Sequence, residues 1–123
     1  MPEDSDDELK AKAHQAAAKF IALLAPIYNP ELSEFGVTQE IYGEIVEALN
    51  GYGVEISDWQ LPTIAMLKRD KVRIFDIFDM HEPEQSGFES ELWANGKAFD
   101  PVLRGVLTKS NDSMLFTFKS IES

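Results

Sequence analysis

"ELWANGKAFDPVL", Glu91 to Leu103, decides how this chain folds. Asn95-Gly96 is the strongest short hairpin signal, because both residues tolerate the positive φ of a type I′ turn. The flanks are therefore antiparallel strands, over about 88–94 and 99–109. Asn111-Asp112 is a weaker turn of the same kind and predicts a last strand over about 114–122. Upstream, an apolar run predicts a first strand over about 71–80, joined to the second by a loop, Glu82 to Ser86, that contains Pro83.

Two-residue turns set a register that side-chain type can test. They place Leu92 opposite Phe99, Phe88 opposite Leu103, Leu107 opposite Phe116 and Gly105 opposite Phe118. One face then collects Phe88, Leu92, Phe99, Leu103, Leu107, Met114, Phe116 and Phe118. Turn chemistry and apolar pattern thus agree on one buried surface. The opposite face mixes Glu89, Glu91, Asp100, Arg104, Thr108, Thr117 and Lys119 with Trp93, Val102, Val106, Leu115 and Ile121. A solvent face is normally more polar. Either residues 54–70 fold over it or it meets a partner.

Cover for the apolar face comes from the N-terminal half. Leu9, Ala13, Ala16, Phe20, Leu24 and Ile27 recur at helical spacing, which predicts a helix over about 5–25. Ser5 to Glu8 fits a capping box at its start, and Pro26 ends or kinks it. A second helix is predicted over about 38–50, with Thr38 as N-cap, an Ile41–Ile45–Ala48–Leu49 stripe and Asn50-Gly51 as terminator. Residues 63–68 read as a short helical turn or an irregular strand. The expected fold is α+β: two N-terminal helices packed on a four-stranded antiparallel meander, one domain over residues 1–123 with 1–4 frayed.

Composition narrows function. The 123 residues hold 22 acids against 11 bases, a net charge of −11, and no cysteine. Disulfides, thiolate metal sites and cysteine nucleophiles are excluded. Direct nucleic-acid binding is disfavoured, since phosphates select basic surfaces. The acidic N-terminus does not read as a signal peptide, and no apolar run approaches the ~18 residues of a membrane span. A cytoplasmic, bacterial-type protein is expected.

"RIFDIFDMHEPE", Arg73 to Glu84, looks most like chemistry. As a strand, it points Asp76 and Asp79 to opposite faces, so they do not form a paired-carboxylate site. Asp79 and His81 share a face, about 7 Å apart, but lack a third metal ligand. Asp76, between Ile74-Phe75 and Ile77-Phe78, raises the question of what answers its charge if it is buried. Trp93, with Tyr52 and Trp59, offers aromatic anchors for binding or filling for a core. No nucleophile motif, phosphate loop or dinucleotide fingerprint is present, which argues against an enzyme and calls for no cofactor or metal.

Residues 50–56 ("NGYGVEI"), 90–97 ("SELWANGK"), 100–110 ("DPVLRGVLTKS") and 114–121 ("MLFTFKSI") resemble a family of small bacterial proteins of unknown function. The resemblance implies N-terminal helices and an antiparallel meander with an "LW" strand. That plan is similar to the cystatin-like and nuclear-transport-factor-2-like roll. It carries no catalytic residue.

The expected function is a small acidic binding protein. Its most concrete form is an immunity or inhibitor-type protein that neutralises a basic partner such as a toxin or nuclease. Glu89, Glu91 and Asp100 would supply charge, with Trp93 as anchor. A second reading is a cavity-bearing roll that binds or transforms a small ligand near Asp76, Asp79 and His81. A third is a homodimeric accessory domain paired through the mixed sheet face.

Overall fold

A computed structural model describes residues 2–69, 71–110 and 113–122, with side chains from Glu8 onward. Helices precede a four-stranded antiparallel sheet of order β1-β2-β3-β4, the α+β arrangement expected. The strands are β1 (Phe75–Asp79), β2 (Gln85–Ala94), β3 (Lys97–Ser110) and β4 (Ser113–Glu122). The helices are α1 (Pro2–Ala22), α2 (Gln39–Asn50) and the short α3 (Ile64–Lys68), with 3-10 turns η1 (Pro30–Phe35) and η2 (Ile56–Asp58).

The first helix starts earlier than the capping-box reading placed it. Pro2 occupies the helix start, where its missing N–H costs nothing, so Ser5 lies inside the helix and not at its cap. The side chains of that box lie outside the described residues, apart from Glu8. The helix stops at Ala22, short of the expected 25, because Pro26 has no N–H for the Ala22 carbonyl. Its end tightens to three-residue bonds, Leu23 N–H to Phe20 and Leu24 N–H to Ile21, each 3.1 Å.

Two tyrosines then pin the connection to α2. Tyr28 donates to the Val37 carbonyl at 2.9 Å, and Tyr42 donates to the Ala25 carbonyl. Thr38 caps α2 as expected, its hydroxyl accepting the Ile41 N–H at 3.2 Å. Gly43 is exposed in the middle of α2, and a Cβ there would meet nothing within 4 Å. Gly43→Ala is therefore expected to raise stability by about 1 kcal/mol, read as a higher urea midpoint at unchanged m-value.

Asn95 (φ 53°) and Gly96 (φ 77°) both adopt the left-handed conformation the hairpin requires. The pairs next to the turn, Ala94 with Lys97 and Trp93 with Ala98, are the expected ones. Further on, the register slips by two, so Phe88 faces Gly105 and not Leu103. The slip lies where β3 carries Phe99, Asp100 and Pro101 against Leu92 alone. Pro101 has no N–H for the ladder, which confines it to such a bulge. A slip of two preserves parity, so the apolar face survives: Phe88, Leu92, Leu103, Leu107 and Phe116 are all buried. The Asn111-Asp112 turn lies outside the described residues, but Leu107 pairs with Phe116 and Gly105 with Phe118 as expected.

A second bulge corrects the reading of β4. Gly105 pairs with Phe118 but Arg104 with Ser120, leaving Lys119 as the extra residue. Ile121 therefore turns from the outer face to the inner one, opposite Leu103, and packs on the core. The first strand is shorter than expected, 75–79 in place of 71–80, and β2 begins at Gln85, inside the expected loop.

Phe20 of α1 centres the core. Its ring lies 5.4 Å from both Phe116 and Phe118, and Phe116 continues at 5.8 Å to Phe88, which meets Phe75 at 5.3 Å. Aromatic contact thus runs from helix to sheet and across to the edge strand β1.

Candidate functional site

Seven residues carry the sequence-based site hypotheses; the fold joins Glu91 to Trp93, sets Asp76 opposite Glu89, and leaves Asp79, His81 and Asp100 exposed. Glu91 has the most unusual setting. It belongs to the outer face by parity, yet it is 1% exposed. On the β1 side of β2 the pairing partner changes along the strand. Phe75 pairs with Ser90, the Glu91 N–H donates to the Ile74 carbonyl at 3.0 Å, and Gln60 bridges Trp93 through two backbone bonds of 2.8 Å. Between Gln60 and Ile74 the chain leaves the sheet, forms α3 and returns. The Glu91 carboxylate fills the resulting fork. Oε1 accepts the N–H groups of Arg73 (3.2 Å) and Ile74 (3.3 Å), and Oε2 accepts the Trp93 indole N–H at 2.6 Å. The Arg73 Nε stands 3.5 Å from Oε1, but its side chain is 68% exposed, so this ion pair adds little. Glu91 and Trp93 therefore fasten the returning chain to β2, and neither presents its polar group to a partner.

Asp76 is exposed, so water answers its charge. It lies directly opposite Glu89, which in turn pairs with Arg104. The Arg104 side chain forms its ion pair with Glu122, at 3.6 Å. This row across the outer face is a mixed-charge surface, not a catalytic pair. Asp79 ends β1, His81 follows in the loop, and both are exposed. Among the described residues, no three His, Asp or Glu side chains converge as a metal site would require. Asp100 is exposed at the β3 bulge. Trp59 is buried at 3%, with Tyr52 and Phe99 edge-on at 5.8 and 5.1 Å. Its indole N–H has no hydrogen-bond partner, and the edge-to-face geometry is one in which a π face can receive it. Trp59 is thus core filling.

Residues 59–64 do not fold over the outer sheet face. They lie against α1, where the His14 Nε2–H donates to the Pro62 carbonyl at 2.7 Å. The outer face keeps Phe78 and Leu115 at 46% and 57% exposure. Phe78 has a local task there, since its ring covers the directly paired Gly87.

A different surface emerges on the helical side. Residues 20–67 contain seven acids and no lysine or arginine. All seven are exposed: Glu31 and Glu34 on η1, Glu40, Glu44 and Glu47 on α2, and Glu55 and Asp58 at η2. Beside them, α2 and β4 enclose a groove of about 280 Å³ with Ile41, Ala48, Phe118 and Ile121 in its lining, Glu44 and Glu122 as its acids and Lys119 as its one base among the described residues. The base-free stretch was visible in the sequence. Only folding, however, brings α2 beside Phe118 and Ile121.

Comparison with protein-family models, with characterised proteins and with solved structures yields no match. Among the described residues, no helix is long and apolar enough to cross a membrane.

Proposed function

We propose that this chain is a small acidic binding protein of immunity or inhibitor type, which takes a basic protein partner on its η1–α2–η2 surface. The observation that carries this reading is the unbroken acidic stretch, seven exposed carboxylates over residues 20–67 without one compensating base. Such a field speeds encounter with a basic partner and rejects acidic ones. The groove between α2 and β4 adds apolar footing that charge alone lacks, because rim charges set rate and orientation while buried apolar contacts hold the complex. Glu89 and Asp100 of the sheet lie outside this surface, and Glu91 is occupied within the chain.

The test is capture of a basic protein from native lysate on the immobilised chain, followed by association kinetics with that partner. Glu40→Lys, Glu44→Lys and Glu47→Lys together should lower the association rate about tenfold or more at low salt and flatten its salt dependence. Asp76→Lys, on the sheet, should leave the rate unchanged. Recovery of no basic protein, or equal kinetics for the triple variant, would sink the proposal.

A further inference from the structure

We propose that the trough between α1 and residues 59–68 binds a long-chain carboxylate, with the carboxylate at Lys10 and Lys68 and the hydrocarbon directed toward Ala22. Two hollows form this trough, of about 220 and 360 Å³, and Ile64 lines both. The first is bounded by Lys10, Ala11, Leu67 and Lys68. The second continues along α1 past His14 to Ala18 and Ala22, with Leu61 opposite. From Lys10 to Ala22 the helix rises about 18 Å. The small side chains of Ala11, Ala18 and Ala22, spaced by about two turns and then one along the helix, leave the space open.

Charge selects the occupant. The chain carries twice as many acids as bases, yet among the described residues no acid lines either hollow. Among the described residues, the formal charges in the two linings are those of the two lysines, both at the same end, and Lys10 also borders the neighbouring hollow that Asp76 lines. The far end is lined by apolar and neutral groups alone. A cationic or zwitterionic amphiphile finds no counter-charge here, and a basic peptide is repelled. An anion with an apolar tail matches both ends, through charge-assisted hydrogen bonds at one and burial at the other. His14 is held to Pro62 by its hydrogen bond, so the imidazole is a fixed wall midway along the trough. The trough shares no residue with the acidic surface, so either proposal can fail alone.

The experiment is calorimetric titration of the full chain with sodium dodecanoate below its micellar concentration. Saturable one-to-one binding is expected, with dodecyltrimethylammonium about tenfold or more weaker. Hexanoate, half as long, should not bind detectably, because each buried methylene strengthens binding about fourfold. The double variant Lys10→Glu, Lys68→Glu should weaken dodecanoate about tenfold and leave dodecanol nearly unchanged. Both lysines are exposed, so the fold tolerates these changes. Ala18→Phe, which fills the trough, should abolish binding of both. Phosphatidylglycerol vesicles should not sediment the protein. Absence of saturable dodecanoate binding, equal affinity for the cationic amphiphile, an unaffected lysine double variant, or vesicle binding in its place would each overturn the proposal.

Discussion

Glu91→Ala is expected to destabilise the fold by about 3–4 kcal/mol, a large share of the total stability of a small domain. The change leaves the part-buried indole N–H of Trp93 and two backbone N–H groups, of Arg73 and Ile74, without their acceptor. Hydrogen bonds to a charged group contribute roughly 1.5–3 kcal/mol each, but they share one carboxylate here and do not add in full. The Arg73 ion pair is discounted because that side chain is mostly in water. Glu91→Gln should fall between, at about 2 kcal/mol, since one amide oxygen remains while the NH₂ group meets a donor. For a chain of this length the alanine variant should melt roughly 10–20 °C lower. Hydrogen exchange should locate the damage: the Ile74 and Gln60 amides should exchange faster before the centre of β2 does. A loss below about 1 kcal/mol, or identical values for Ala and Gln, would show that the carboxylate does not fasten the chain.

Glu91 also shows where sequence reading stops. Strand parity assigned it to the outer face, and that assignment holds. What parity cannot supply is the path of residues 60–74, which leave β2 and return to it, because no periodicity governs an irregular segment. A glutamate on a strand therefore looked like surface charge, while its partners lie 17 and 18 residues away along the chain. The same limit explains Trp59, whose buried place depends on Phe99 and Tyr52 meeting at the end of the sheet.

The elements that were legible are those with local physics. Asn95-Gly96 marked its own turn, Thr38 its own cap, and the alternation of Phe88, Leu92, Leu103 and Leu107 its own face. The register departs from even pairing at the two bulges. Pro101 was a readable warning that β3 does not pair evenly there, since proline is excluded from an interior ladder. Lys119 gave no such warning, and its bulge moved Ile121 into the core. For the candidate surfaces, composition was legible and adjacency was not. The base-free run of 20–67 can be counted in the chain, whereas the meeting of Lys10 with Lys68 across α1 and α3 requires the fold.

Gly105→Val should cost about 3 kcal/mol, although it adds a favoured strand residue to a strand. Phe88 and Phe116 approach to 5.8 Å at an interplanar angle of 84°, and Gly105, paired with Phe118 and opposite Phe88, lies beneath that contact. A Cβ at this position would run into the Phe116 ring and stand 2.6 Å from the Thr117 carbonyl oxygen. The ring can tilt, but the carbonyl belongs to the β4 backbone and has little freedom. Relief should therefore be partial and should depend on residue 116. Gly105→Ala alone is expected to lose about 2 kcal/mol, and Phe116→Leu alone about 1–2 kcal/mol. Combined, they should lose about 1 kcal/mol less than their sum, because leucine vacates the volume the new methyl group needs. The remaining deficit measures the clash with Thr117, which no side-chain substitution removes. Urea unfolding of the four proteins closes this cycle. Additivity to within about 0.3 kcal/mol would mean that the glycine is not there to seat the Phe116 ring.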